Sequence, residues 1–339
     1  MLLSLISPKP LTSVSRCGLF RLLAKIGCPP KLLSIVTSFH DNMKGTIQHS
    51  GASSDPFPIL SGVKQGCVLA PTLFGIFFSL LLSHAFKSSE EGIFLHTRSD
   101  GRLFNLARLR VKTKVRKVLI RKLLFAGNAA LTSHMEECLQ RLIDRFAAAN
   151  NEFGLTISLR KTNIMGQDVR NAPSIKIGNH TLDVVQEFTY LGSTITSNLY
   201  LDAEINKRVG KASAAMSRLA KRVWENGALT WNTKVRVYQA CVLSTLLYGS
   251  EAWTMYVSQE RRLNSFHLRC FRRILGIRWQ DCISNTQVLE AASIPSIYTL
   301  LSQRRLRWLG HVSRMADGRI PKNTLCSEYQ THRPSISPL

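Results

Sequence analysis

Residues 121–132, RKLLFAGNAALT, constrain the fold more than any other stretch, because they place apolar runs on both sides of Gly127-Asn128. Glycine and asparagine both accept a positive φ angle, so the pattern predicts two antiparallel strands joined by a tight turn. The tip of this hairpin holds neither a strong metal ligand nor a group that transfers protons. The two predicted strands indicate that the first half of the chain contains at least one antiparallel sheet.

Helical periodicity follows the hairpin directly. Apolar residues recur at steps of three and four, which predicts a helix from about residue 133 to 153 with one buried stripe; they are Leu139, Leu142, Phe146, Ala149 and Phe153. Asp100-Gly101 predicts a second hairpin turn. Short strands are predicted at residues 93–99, 102–109, 155–159, 174–178 and 188–196. The first half of the chain thus mixes strands and helices.

The pattern becomes helical alone after about residue 200. Amphipathic stretches occupy residues 202–223, 263–274 and about 296–315. A chain of 339 residues with 45% apolar content suits two domains with real cores. These patterns predict an α+β region followed by an all-helical region.

The charge of the chain is strongly unbalanced. Lys and Arg number 45 against 21 Asp and Glu, which gives a formal net charge of +24. Residues 102–122 alone carry nine basic side chains and no acid. Such an excess indicates a polyanionic partner, either nucleic acid or an acidic membrane surface, and counterion release favours nucleic acid.

No membrane span, export signal or metal site is predicted. The longest apolar stretch, residues 68–82, is shorter than the roughly 20 residues that a span needs, and it contains Pro71. The first residues lack the charged start of a signal peptide. The eight cysteines are scattered, and His267, Cys270 and Cys282 lack a fourth zinc ligand at ordinary spacing. We therefore expect an intracellular protein, nuclear or cytoplasmic, with reduced thiols.

Four segments occur in the order and spacing of a reverse transcriptase palm: SGVKQGCVLAPTLF (61–74), LLFAGNAALT (123–132), GLTISLRKTNIM (154–165) and FTYLGSTI (188–195). Together with RRLRWLGHVSRM (304–315), they resemble the non-LTR, or LINE-type, retrotransposon reverse transcriptases. The resemblance covers about residues 10–325. It implies an α+β palm of antiparallel sheet and helices in residues 1–197, an all-helical thumb-like or connection-like region in 198–320, and a flexible tail in 321–339.

The resemblance also implies roles for individual residues. Nucleotide- or template-binding positions are Lys64, Gln65, Gly66 and Lys161, and the hairpin that steadies the primer end corresponds to Tyr190, Leu191 and Gly192. Gln65-Gly66 would open the helix beneath the nucleotide, and Lys161 would lie on a strand behind the active site. Taken alone, Gln65-Gly66 also suits a plain turn before a helix, and Lys161 also suits a solvated surface lysine. Tyr190, Leu191 and Gly192 taken alone suit a strand with a glycine bend.

The chain departs from the family at the catalytic motif. Family members carry Phe-Ala-Asp-Asp at the hairpin and another Asp on the first palm strand, and these carboxylates hold two Mg²⁺ ions. Here the hairpin positions are Gly127 and Asn128, and the first-strand position falls near Ile6, with a second familiar Asp position at Thr12. Pro8 and Pro10 lead us to expect that the first strand itself is lost. The sequence thus predicts no bound metal and no other cofactor.

Four functions remain open on the sequence. The first is a catalytically inactive reverse transcriptase remnant that binds RNA or DNA, and the second is an active polymerase with unconventional metal ligands. The third is a non-enzymatic interaction protein built on the basic helical region, where tryptophans stand among arginines. The fourth is the product of a decayed reading frame without function. The family's endonuclease domain and fingers would precede Met1, so we expect a fragment of a larger product, of unknown oligomeric state.

Overall fold

The computed structural model describes residues 2–6, 14–64, 66–87, 89, 91–98, 115–120, 122–125, 128–167, 171–325 and 327–329. These residues form two compact units. One, which we call the sheet unit, is drawn mainly from residues 2–96 and 116–186. The other, which we call the helical unit, is drawn mainly from residues 187–328. The domain limits that the sequence suggested, at residues 197 and 320, stay predictions.

The sheet unit alternates helices with short strands. It begins with β1 (Leu2–Ile6), α1 (Arg16–Lys25), α2 (Pro30–Ser38), β2 (Lys44–Gly45), β3 (Gln48–His49), β4 (Ala52–Ser53), β5 (Phe57–Pro58) and α3 (Ala70–Phe86). It continues with β6 (Ile93–Arg98), β7 (Val115–Ile120), β8 (Lys122–Phe125), β9 (Asn128–Thr132), α4 (Glu136–Glu152), β10 (Asn163–Met165), β11 (Lys176–Ile177), β12 (His180–Thr181) and β13 (Asp183–Val184). The second predicted hairpin turn, Asp100-Gly101, and the strand predicted at 102–109 lie outside the described residues.

Five strands form the central sheet, in the order β13-β10-β1-β9-β8. β8 and β9 pair antiparallel, which confirms the hairpin predicted for residues 121–132. β1 lies in the middle and pairs antiparallel with both β9 and β10, so the expectation that the first strand is lost was wrong. Pro8 and Pro10 follow Ile6 in the sequence, and they therefore remove no N–H donor from the β1 ladder.

One apolar core joins this sheet to helices α3 and α4. α3 is apolar on nearly all sides, and its Phe86 stacks on Phe146 of α4 with the ring centroids 6.4 Å apart. The stripe predicted for α4 is confirmed, since Leu139 and Leu142 are fully buried. Among the described residues, no helix has the length and apolarity that crossing a bilayer requires.

Residues 155–159 do not form the strand that their apolar alternation predicts. Gly154, with φ +71°, ends helix α4, and residues 155–158 lead into a 3₁₀ turn at Leu159–Lys161. Leu155 is buried in the core, so the alternation reflects packing without ladder hydrogen bonds. β10, a few residues later, is the segment that pairs with β1.

The helical unit opens with a β-hairpin, β14 (Glu187–Tyr190) and β15 (Ser193–Thr196). Its helices are α5 (Asp202–Arg218), α6 (Trp231–Val237), α7 (Ser244–Leu246), α8 (Val257–Leu275), α9 (Asn285–Ala292), α10 (Ile297–Ser313) and α11 (Ile320–Leu325). π-helical segments occupy Ala220–Trp224 and Tyr238–Leu243. The three helical stretches predicted after residue 200 are therefore confirmed.

The boundaries and the core of this unit follow from local chemistry. The hydroxyls of Ser284 and Ser296 accept hydrogen bonds from N–H groups in the first turns of α9 and α10, which starts both helices. Gly276, in the left-handed region at φ +68°, ends α8. A second apolar core, separate from the first, is centred on buried residues such as Tyr238, Leu263 and Phe271.

The described part of residues 321–339, which the sequence assigned to a flexible tail, contains regular structure, and the tail stays a prediction. Residues 320–325 form α11, and residues 327–329 form a strand, β16. Pro321 lies in the first turn of α11, where no intrahelical N–H bond is lost. The Lys322 ammonium binds the Asp317 carboxylate at 2.7 Å and the Met315 carbonyl at 2.9 Å, which fixes the helix to the preceding turn.

Candidate nucleic-acid interface

Strands β1 and β9 bring two of the positions expected to carry metal ligands side by side. In their antiparallel register, Ile6 is the partner of Asn128, and Ser4 is the partner of Ala130. Asn128 pairs with Phe125 on the other side, so it is the first residue of β9 and does not belong to the turn, contrary to the prediction. Gly127 and Thr12 lie outside the described residues. The fold thus juxtaposes the first-strand position with the hairpin position, although they are distant in sequence.

The side chains at these positions do not suit magnesium. Mg²⁺ takes hard oxygen ligands, chiefly carboxylates together with substrate phosphates. Isoleucine offers no donor atom, glycine has no side chain, and the asparagine amide is neutral. In the part of the chain that the structure describes, no three His, Cys, Asp or Glu side chains group together as a metal site would require. The residues present therefore do not fit the two-metal centre that the resemblance implies.

The segment around Lys64 forms a turn and not the start of a helix. The Cys67 N–H donates to the Lys64 carbonyl at 3.3 Å, and α3 begins only at Ala70. Gly66 has φ +92°, and apart from its two chain neighbours no atom of the described residues lies within 4 Å of the place that a Cβ would occupy. The positive φ angle of Gly66 favours glycine, whereas crowding by other residues does not require it. The open space beside it would allow a ligand to approach the backbone closely. Lys64 is exposed, and Gln65 lies outside the described residues.

The resemblance implied that Lys161 lies on a strand, but the structure places it in a turn. It ends the 3₁₀ turn just before β10, and its side chain is exposed. Among the described residues, neither the Lys64 nor the Lys161 ammonium has a hydrogen bond or an ion pair. Both lysines are therefore available to a polyanion.

The turn that corresponds to the primer-end hairpin is well defined. Tyr190 pairs with Ser193, so Leu191 and Gly192 form a two-residue turn, with φ +49° and +83°. Two positive φ angles are typical of a type I′ turn, which favours asparagine and glycine. Leucine at the first position is strained, and its side chain is 38% exposed. Desolvation raises the pKa of Tyr190, at the foot of the turn.

A buried ion pair on helix α5 holds this turn in place. The Arg208 guanidinium binds Glu204 at 2.7 Å, and their side chains are only 6% and 2% exposed. The second Glu204 oxygen accepts the Thr194 N–H at 2.7 Å, and Arg208 also donates to the Gly192 carbonyl. Both charges are therefore neutralised and hydrogen-bonded, which offsets the cost of burying them.

Tyr248 completes the support of the turn. Its hydroxyl donates to the Leu191 carbonyl at 2.8 Å, and its ring lies under the Arg208 guanidinium, 4.5 Å from the centroid. Sequence reasoning missed Tyr248, Glu204 and Arg208. The available signal was the i,i+4 spacing of Glu204 and Arg208, but such pairs usually lie on helix surfaces.

Comparison with known proteins decides the family. The profile of the family described as reverse transcriptase (RNA-dependent DNA polymerase) matches residues 12–195, more than half of the chain. The chain belongs to the reverse transcriptase family. Its fold is accordingly the α+β palm with a following helical region, as the sequence motifs indicated.

Relatives place this member of the reverse transcriptase family among the LINE-type elements. It is 24% identical over 256 residues to the RNA-directed DNA polymerase of the mobile element jockey from Drosophila melanogaster, and 22% identical over 263 residues to the jockey polymerase of Drosophila funebris. These matches cover 74% and 76% of this chain but 26% of either polymerase. An uncharacterized transposon-derived protein of Caenorhabditis elegans is 26% identical over 215 residues, 61% of this chain and 75% of its own length. The chain is therefore retrotransposon-derived and spans about a quarter of the length of the jockey polymerases.

Among solved structures, telomerases align with most of the chain. Telomerase from Candida tropicalis, with a telomeric RNA fragment, aligns over 96% of this chain and 48% of its own, with 12% identity and a TM-score of 0.41. The Candida albicans telomerase with its RNA fragment aligns over 90% and 50%, with 11% identity and a TM-score of 0.38.

Proposed function

We propose that this reverse transcriptase has lost polymerase chemistry and still binds nucleic acid. The observation that carries the proposal is the pairing of Ile6 with Asn128 at the centre of the sheet. Two-metal phosphoryl transfer needs carboxylates at such positions to hold the ions that clamp the attacking and leaving oxygens. An isoleucine and an asparagine cannot replace them.

Binding is supported by charge and by the turn at Leu191. A net charge of +24 favours a polyanion through counterion release, and affinity of this origin falls steeply with salt. The turn keeps its strained conformation although the catalytic positions are substituted. Strain that surrounding contacts maintain is characteristic of functional positions.

The first test measures primer extension and binding on the same preparation. We expect no Mg²⁺-dependent extension of a primer on an RNA or DNA template. We also expect a cooperative thermal unfolding transition that moves to higher temperature when the primer–template duplex is added, because a ligand of the native state stabilises by mass action.

Each half of the proposal has its own contrary result. Magnesium-dependent extension that disappears in an Asn128→Ala variant would show an active enzyme with an unconventional ligand. A broad unfolding transition that ignores the duplex would instead favour the product of a decayed reading frame.

A second prediction concerns the turn. Leu191→Asn creates the Asn-Gly pair that a type I′ turn prefers, so we expect the free energy of unfolding to rise by about 1 kcal/mol. If Leu191 contacts the primer, the same variant binds a primer–template more weakly than the wild type. Urea unfolding and a binding titration measure the two effects. A variant that is stabilised but binds as before would remove Leu191 from the interface.

A further inference from the structure

A cavity of about 340 Å³ opens in the helical unit, lined by residues of α8, α9 and α10. One face of α8 forms its floor, with Arg261, Arg269 and Arg272 at spacings that place them on the same side of the helix. Asn285 at the start of α9 and Tyr298 at the start of α10 line the opposite side. The volume lies within the range of roughly 300–1,000 Å³ that small-ligand sites occupy.

The charge around this cavity is positive and unbalanced. None of the described residues that line it is an aspartate or glutamate. Arg261 and Arg269 are exposed, and within the described ranges neither makes a hydrogen bond or an ion pair. By contrast, the neighbouring Arg273 lies 3.5 Å from Glu225. Three guanidinium groups around one cavity repel each other, so an anion between them would relieve an unfavourable interaction.

The third arginine is held in a fixed position. The Arg272 Nη2 group donates to the Ile283 carbonyl and to Asn285 Oδ1, both at 2.9 Å. These bonds tie α8 to Ile283 in the loop before α9 and to Asn285, the first residue of α9. A guanidinium that is already positioned loses less entropy on binding an anion than a free one.

An unsatisfied amide lies in the same cavity. Asn264 lines it, and its Oδ1 atom is buried without a hydrogen-bond partner among the described residues. A buried polar atom left unpaired is costly. Because the two ends of an amide can exchange places, a bound ligand can satisfy Asn264 as donor or as acceptor.

We propose that this cavity binds a phosphate group of a nucleic-acid strand, with Arg261 and Arg269 on the phosphate oxygens. Arginine forms paired, charge-assisted hydrogen bonds with phosphate, and Tyr298, 39% exposed at the rim, offers a ring to the adjoining sugar or base. The inference deepens the proposed function and rests on it, since it names a specific contact on the helical unit. A free phosphate compound shares this chemistry, so the test separates the two.

The experiment titrates the full-length protein against a labelled single-stranded polyuridine oligonucleotide at several salt concentrations. The pocket variant combines Arg261→Gln with Arg269→Gln. The control variant combines Arg222→Gln with Arg236→Gln, two exposed arginines outside α8 that likewise make no ion pair within the described parts of the chain. Both variants lose two positive charges, and none of the four side chains contributes to a core, so both are expected to fold.

We expect the pocket variant to raise Kd about tenfold more than the control does, since it removes charge-assisted hydrogen bonds as well as charge. A third variant, Arg269→Lys, keeps the charge but not the paired geometry, and it should bind more weakly than the wild type. Inorganic phosphate should compete with the oligonucleotide on the wild type and less on the pocket variant.

Two outcomes would overturn the inference, and they have different consequences for the proposed function. If the wild type binds the oligonucleotide and both double variants weaken it equally, the cavity is not a site and the proposed function stands. If the wild type binds no oligonucleotide, the proposed function fails and the strand is excluded as ligand. Stabilisation by inorganic phosphate that only the pocket variant loses would then assign the cavity to a free phosphate compound.

Discussion

Replacing Glu204 with alanine is expected to lower the free energy of unfolding by about 3–5 kcal/mol. The change leaves the buried Arg208 guanidinium without its counter-charge and the Thr194 N–H without an acceptor. Both groups then lie in an apolar setting where water cannot reach them easily. Urea unfolding followed by circular dichroism measures the loss.

The matched control is a surface ion pair of the same unit. Lys207 binds Glu187 at 2.8 Å, with both side chains about half exposed, so Glu187→Ala should cost less than about 1 kcal/mol. Equal effects of the two substitutions would show that the Glu204–Arg208 pair does not stabilise the turn. A double variant, Glu204→Gln with Arg208→Met, should recover part of the loss, because it removes the buried charges together.

The second large effect is the dependence of stability on pH through His267. This side chain is fully buried on α8, where burial lowers its pKa from a usual value near 6.5 to about 4, although the Pro295 backbone opposes the shift. The Tyr238 hydroxyl lies 2.9 Å from His267 Nδ1. Burial raises the pKa of Tyr238 well above its usual value, so the tyrosine stays protonated and shares a hydrogen bond with a neutral imidazole.

The direction of the effect follows from this depressed pKa. The stabilisation is complete above pH 6.5, where the imidazole is neutral in the folded and unfolded states. It is lost as the pH falls from 6.5 to about 4, because the unfolded state takes up the proton first. The total loss is about 3 kcal/mol. Urea unfolding at a series of pH values checks it.

A variant isolates this contribution. His267→Asn keeps an acceptor near Tyr238 but cannot be protonated, so its stability should vary much less between pH 6.5 and 4. Glu91 acts in a lower range. The Ser89 hydroxyl bond and the guanidinium groups of Arg141 and Arg145 lower the pKa of Glu91 to about 2, so its contribution disappears between pH 4.5 and 2. If stability depends on pH between 6.5 and 4 as steeply in the His267→Asn variant as in the wild type, His267 is excluded as the cause.

Local periodicity correctly identified α4, α5, α8 and α10, which are four of the five longest helices in the described part of the chain. The stripe at Leu139 and Leu142 and the amphipathic faces of α5 and α8 depend on residues three and four apart, which a helix brings together without help from the rest of the chain. The hairpin β8–β9 could also be predicted, because its two strands are neighbours in the sequence. Predictions were wrong where a partner distant in sequence decides the conformation. Residues 155–159 alternate as a strand does, but β1 pairs with β10 instead.

The supports of the Leu191 turn were beyond sequence reasoning. Glu204 and Arg208 look like a solvated i,i+4 pair, and only the hairpin packed against α5 turns them into a buried pair. The family resemblance pointed to Tyr190, Leu191 and Gly192 but not to the residues that hold them. The contacts involve side chains and carbonyls separated by up to 57 positions, so no local pattern announces them.

The sequence by itself determined which carboxylates are absent and which charge remains. Residue identity at positions 127 and 128 removes the carboxylates whatever the fold, and 45 basic residues favour a polyanion in any conformation. Only the tertiary structure decided that β1 forms, that Ile6 lies beside Asn128, and that arginines on α8 face a common cavity. Strand register and helix packing arise from contacts between distant segments, which depend on the whole chain folding together.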